Sequence, residues 1–155
     1  MRVGTLIVLV AALAFGSEAA AQTTTSAKSA ERGLYLTIFR SPSTGLELRA
    51  GHAAVHAGFY PTIISRDGNR DNANFARAGV TWYAKAQGAS VYISPSFVWS
   101  LSRGWRNGAL TEAGFRGRLF RALNGRLGLG VLTTVDGKVR VNPTVGMDIK
   151  LGAGR

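Results

Sequence analysis

The sequence predicts an all-β protein, an eight-stranded antiparallel up-and-down transmembrane β-barrel, on three observations. Arg140 to Leu151 sorts its residue classes without exception. Val141, Pro143, Val145, Met147, Ile149 and Leu151 fall on one face, and Arg140, Asn142, Thr144, Gly146, Asp148 and Lys150 on the other, the period of two that makes a strand with one oily face. Seven more runs of this kind, each closed by turn residues, precede it. The chain also opens on a segment with the form of an export signal, and no later stretch approaches the roughly 18 to 20 apolar residues of a helical span. A membrane would therefore be crossed by strands.

Met1 to Ala21 carries a basic Arg2, an apolar run from Leu6 to Phe15 and an A-x-A site at Ala19, Ala20 and Ala21, the pattern of a cleaved secretory signal. The expected layout is a signal peptide over 1–21, a flexible Thr-, Ser- and Ala-rich lead-in over 22–32, a barrel over 33–151 and a tail over 152–155. Removing Arg2 and Glu18 takes one charge of each sign, so the mature chain keeps the formal net charge of +11. An exported protein of that charge meets lipid phosphate before nucleic acid. The chain has no cysteine, which excludes disulfides and thiolate chemistry.

The first run, Gly33 to Arg40, sets Leu34, Leu36 and Ile38 on one face and leads to a turn at Ser41 to Thr44. Gly45 to His52 alternates Leu46, Leu48 and Ala50 with Glu47 and Arg49, and Val55 to Ile63 alternates Val55, Ala57, Phe59, Pro61 and Ile63 with His56, Gly58, Tyr60 and Thr62. Ser65 to Asn72 is the most polar stretch and is expected to be a loop. Asn74 to Ala84 opposes Ala76, Ala78, Val80 and Trp82 to Arg77, Gly79, Thr81 and Tyr83. Ser90 to Leu101 follows, with Val91, Ile93, Pro95, Phe97 and Trp99 outward, and then a second loop over Ser102 to Gly108. Ala109 to Phe120 points Ala113, Phe115 and Leu119 outward. Arg126 to Thr134 and the Asp136-Gly137 hairpin signal lead into the last run.

Lipid offers no partner to an unpaired amide, so such a sheet must close, and eight strands is the smallest number that commonly does so. The polar face then fills the lumen with Glu47, Arg49, His56, Arg77, Glu112, Arg116, Arg118, Asp148 and Lys150. Each acid has a base on its own strand: Arg49 for Glu47, Arg116 or Arg118 for Glu112, Lys150 for Asp148. The count leaves the lumen basic, and a lumen of this size is filled by its own side chains rather than open as a pore. Gly128 and Gly130 are expected to relieve crowding there. With the N-terminus periplasmic, the turns near Ala53, Lys85 to Gly88 and Arg121 to Gly125 lie inside, and the other connections outside. Trp82, Phe97 and Trp99 suit an aromatic girdle, while Phe120 has inward parity.

Gly146, Ile149 and Leu151 read GxxIxL, which resembles the C-terminal signal by which outer-membrane barrel proteins are recognised for assembly, with Leu151 where that family usually has an aromatic. As an architecture, Gly33 to Leu151 resembles the small, porin-like outer-membrane barrels of Gram-negative bacteria. The resemblance implies the barrel-assembly machinery as a partner during biogenesis, outer-membrane lipid and lipopolysaccharide as surroundings, and a monomer. It implies no activity.

Arg66, Arg70, Arg103, Trp105 and Arg106 are the surface-loop candidates, with Trp105 as an interfacial anchor beside cations for lipopolysaccharide phosphate. His52 and His56 beside Ser94 and Ser96 invite comparison with the lipid A deacylase type of eight-stranded barrel, whose His-x-Ser pair on one strand is absent here. Nucleophilic catalysis needs an activated, oriented set, so both histidines read as structural. The 65–72 stretch lacks the calcium-loop register and its distal Glu. No catalytic, cofactor-binding or metal residue is assigned. The expected function is that of a non-enzymatic integral outer-membrane barrel with a structural or surface-interaction role. The alternatives are a lipid A-modifying enzyme and a soluble periplasmic lipocalin-like barrel with the faces reversed.

Overall fold

Strict alternation fixes which way each side chain points, and backbone pairing then decides how the runs meet. A computed structural model of the chain describes residues 30–41, 44–66 and 69–152. The expected signal peptide, residues 22–29 of the lead-in and the tail from 153 lie outside the described residues.

Eight strands follow in order: β1 (Arg32–Ser41), β2 (Thr44–Ala50), β3 (Ala53–Arg66), β4 (Asn69–Tyr83), β5 (Ser90–Ser100), β6 (Gly108–Arg118), β7 (Leu123–Thr134) and β8 (Val139–Gly152). Each is hydrogen-bonded antiparallel to the next, and β1 returns to β8, from Tyr35 opposite Lys150 to Phe39 opposite Gly146, so the sheet is a closed barrel without a free edge. Two irregularities on that seam, at Leu34/Tyr35 and Phe39/Ser41, absorb the join. Arg32 and Gly152, expected in the lead-in and the tail, are the first residue of β1 and the last of β8.

The expected loop at Ser65 to Asn72 is instead a hairpin extension. Ser65 pairs with Arg70 and Arg66 with Asn69, leaving two residues between the strands. The pairing of β2 with β3 stops at Phe59 and that of β4 with β5 at Phe75, so the end of this hairpin projects beyond its neighbours. This extension is held by backbone pairing alone, which does not require side-chain alternation. The Asp136-Gly137 turn is as expected, with Gly137 at φ 81° and its amide donating to Thr134 O at 2.9 Å.

The two faces separate as the alternation requires. Leu46, Leu48, Val55, Val80, Ile93, Phe97, Phe115, Leu127, Leu129, Val141 and Met147 are exposed on the outer wall. Trp82 is 62% exposed near the lower end, where β1 begins, and Phe97 and Trp99 meet edge-on at 4.7 Å towards the upper end. Phe120, assigned inward by parity, is 72% exposed because β6 ends at Arg118 and Phe120 lies in the turn beyond it.

The interior is stratified along the barrel axis. Its lower half holds buried charges and tyrosines, and its upper end an apolar cluster of Tyr60, Ala73, Phe75, Val98, Leu110 and Leu132. Trp105, expected as a surface anchor, packs on that cluster, its ring edge-on to Phe75 at 6.0 Å and 81°. The 101–107 connection folds over the mouth, because Trp105 finds apolar partners inside it. Paired glycines let neighbouring strands pack closely: a Cβ on Gly128 would lie 2.4 Å from Ala113 O and 2.9 Å from Gly114 Cα.

Candidate functional site

The lower half of the lumen is one ion-pair network built from opposite walls. Arg126 on β7 donates from Nε to Asp148 Oδ2 at 2.7 Å and from Nη2 to Glu47 Oε2 at 2.6 Å. Arg116 on β6 reaches the same Asp148 oxygen from Nε at 2.9 Å and Glu31 Oε1 from Nη1 at 3.3 Å. Arg49 on β2 donates to Glu31 Oε2 at 3.1 Å and to the carbonyls of Gly51 and Lys85, both at 2.9 Å. Tyr83 links the walls, donating its hydroxyl hydrogen to Glu47 Oε1 at 2.6 Å while Arg49 stacks 3.8 Å above its ring.

Arginine suits these positions because its planar fork serves two acceptors at once. Glu31 lies before β1, outside the strands; its backbone carbonyl accepts from the Gly51 amide, and its side chain accepts from Tyr35. Partial burial opposes its charge, but the Tyr35 hydroxyl, Arg116 and Arg49 together outweigh burial and hold its carboxyl below the usual range.

Higher in the lumen, Arg77 donates to Glu112 Oε2 at 2.8 Å and to His56 Nε2 at 3.1 Å. A guanidinium can only donate, so Nε2 must be the acceptor, and the ring proton sits on Nδ1, 3.2 Å from Thr81 Oγ1. Ser96 Oγ stands 2.9 Å from the same Nε2 and is itself 6% exposed. Between these groups is a cavity of about 20 Å³ beside Glu47, His56, Arg77, Glu112 and Arg126, room for about one water. Among the described residues no group of three or more His, Asp or Glu could hold a metal ion.

Seven of the nine residues expected in the lumen are there: Glu47, Arg49, His56, Arg77, Glu112, Arg116 and Asp148. Arg118 and Lys150 are not part of the network. Arg118 is the last residue of β6 and is exposed, and Lys150 is half-exposed near the end of β8, because inward parity at a barrel's rim opens into the space beyond it. The expected pairs along one strand are also replaced. Residues two apart on a strand project side by side, so the acids meet arginines from other strands: Glu47 with Arg126, Glu112 with Arg77, Asp148 with Arg116 and Arg126.

Arg126 and Glu31 were missed. Arg126 shares the parity of Gly128 and Gly130, which could have found it; Glu31 lies outside any alternating run, and nothing local marks it. With both included, four acids face four arginines, so the network is balanced rather than basic.

The excess charge sits on the rims. Lys85, Arg118, Arg121 and Lys150 are at the lower end, and Arg103, Arg106, Lys138 and Arg140 at the upper. Arg103 and Arg106 are exposed as expected, and Lys138 lies 4.9 Å from the Trp105 ring. Near the tip of the β3–β4 hairpin Arg66 pairs through the backbone with Asn69, and Arg70 with Ser65. Of the residues in the GxxIxL motif, Gly146 is buried inward opposite Arg126, Ile149 is half-exposed and Leu151 is exposed outward. No protein-family model matches the sequence, and neither the curated proteins nor the solved structures include a match.

Proposed function

We propose that the chain is an integral β-barrel protein of a bacterial outer membrane, non-enzymatic and monomeric, with a structural or surface-interaction role. One observation carries this reading: the large apolar side chains lie outside a closed barrel whose interior holds paired charges. In water that arrangement would waste the hydrophobic effect, since exposed Leu, Val and Phe gain nothing and the arginines and carboxylates lose hydration. In a bilayer the first cost reverses, because the apolar wall meets hydrocarbon, and the paired charges are far better placed in the lumen than against lipid. Cations at both ends suit the phosphate planes that bound an apolar slab. A lipocalin-like cup would need the large apolar residues inside, where here they form one cluster at the upper end and a small one of Ala54, Tyr83 and Tyr92 among the charges below.

The acyl-modifying alternative draws on one contact, His56 Nε2 to Ser96 Oγ at 2.9 Å. It lacks the rest of the apparatus. Arg77 competes for the lone pair that would activate the serine, Thr81 rather than a carboxylate orients the ring, and both residues face the filled lumen. Fractionation tests the reading. The mature chain should stay with envelopes through carbonate and high salt and leave only with detergent; release by carbonate would overturn it.

A further inference from the structure

The turn joining β6 to β7 is an unusual surface for the end of a barrel. It reads Arg118-Leu119-Phe120-Arg121, with all four residues exposed, Leu119 at 55% and Phe120 at 72%. The turn is tightly made, the Leu119 and Phe120 amides both donating to Leu123 O at 3.0 and 3.1 Å, so the two apolar side chains are held outside. β8 runs alongside: the Lys150 amide donates to Ala122 O at 2.9 Å, which sets the Lys150 backbone opposite the residue that follows Arg121, and Leu151 beyond it is 51% exposed. Among the described residues no carboxylate forms an ion pair with Arg118, Arg121 or Lys150.

Directly above this cationic corner the outer wall has a notch. Gly117 and Gly125 face each other across β6 and β7 on the apolar side, so two neighbouring outward positions carry no side chain. Phe115, Leu119 and Met147 border them, and a Cβ on Gly125 would come within 3.1 Å of Leu119 Cδ1. The Phe115 ring and the Leu119 side chain lean over the two glycines, a Cβ on Gly117 coming within 3.1 Å of Phe115 Cε1. The notch is therefore a shallow apolar furrow along which a hydrocarbon chain can lie, and the cations at its lower end accept a phosphate.

We propose that this corner is a binding site for an anionic glycerophospholipid, its phosphate between Arg121 and Lys150 with Arg118 beside them, and an acyl chain along the Gly117–Gly125 notch. A free phosphate would use the cations but leave the notch unexplained, and a neutral lipid would use the notch but leave the cations unexplained. The proposal rests on the reading of the chain as a membrane barrel whose lower end is periplasmic, which makes the neighbouring leaflet one of phospholipid rather than lipopolysaccharide.

The test uses the full mature chain folded in detergent and titrated with phosphatidylglycerol, phosphatidylcholine or lipid A, with bound lipid counted by native mass spectrometry. Phosphatidylglycerol should be retained roughly tenfold better than phosphatidylcholine, and the preference should fall to near parity in the double variant Arg121→Gln, Lys150→Gln. It should survive in Arg103→Gln, Arg106→Gln at the opposite rim. Equal retention of the two phospholipids, preference for lipid A, loss in the upper-rim variant, or retention in the lower-rim variant would each overturn the site. The comparison on unaltered protein stands even if a variant fails to fold. Separately, a chain that inserts into vesicles of either phospholipid but retains the two equally removes this site alone, whereas one that inserts into neither removes the membrane reading itself.

Discussion

Arg126 on β7 meets Glu47 on β2 across the lumen, Nη2 to Oε2 at 2.6 Å, and the same guanidinium holds Asp148 on β8. These side chains are nearly dry, with Arg126 at 6% exposure, Glu47 at 1% and Asp148 at 0%. Arg126→Leu takes the cation from Glu47, leaving it the Tyr83 hydroxyl, and leaves Asp148 to Arg116 alone, and should cost roughly the 3 to 5 kcal/mol of breaking one buried pair. A gel-shift melt in detergent reads the loss as unfolding at lower temperature, while Thr111→Ala on the outer face should leave the midpoint unchanged. Equal midpoints for the two variants would mean that the network does not hold the barrel closed.

Glu31 gives the barrel an acid limit. Its folded pKa lies below the ordinary value for a glutamate, so the stability it contributes is fully present above about pH 4.3, the unfolded value, and is lost as pH falls through the lower folded value. Heat resistance should therefore decline on acidification below that range, and Glu31→Gln should lower it at neutral pH and flatten part of the decline. A variant with an unchanged pH profile would remove Glu31 from the network.

How much of this was legible depended on what each position had to satisfy. All eight strands could be read because each needs opposite chemistry on its two faces, so period two persists for the length of the wall. Arg118 and Lys150 were misplaced because parity fixes direction but not height, and at a rim an inward direction ends in solvent. The Glu47–Arg126 pair could not be read from spacing, since its strands are joined only through the closed ring. Trp105 looked like a surface tip because its partners, Phe75 and the cluster around it, are contributed by other strands.

Trp105 closes the upper end against Phe75, Tyr60 and their neighbours. Trp105→Ala should cost about 2 kcal/mol, less than a fully buried aromatic because the ring is half-exposed, and Trp105→Phe should restore most of it. An alanine variant as heat-resistant as the parent would return the residue to the surface-anchor role.

Gly128 sits where any side chain would strike the opposing backbone, 2.4 Å from Ala113 O. Gly128→Val should abolish the folded, fast-migrating band, whereas Gly137→Asn should be tolerated, since its turn asks only for positive φ and open space. Folding of the valine variant at parental yield would contradict the strand register of β6 and β7.

The outward face of β7 offers the most direct measurement, because the chain has no cysteine to interfere. A single cysteine replacing Leu129, 58% exposed at mid-strand, would carry an environment-sensitive fluorophore in the chain folded into phospholipid vesicles. Its emission should be strongly blue-shifted and quenched by lipids brominated deep in the acyl chain, while the same label at Arg103 should report water. Water-like emission at both positions, with no quenching by brominated lipid, would contradict a barrel that turns its apolar face to the membrane.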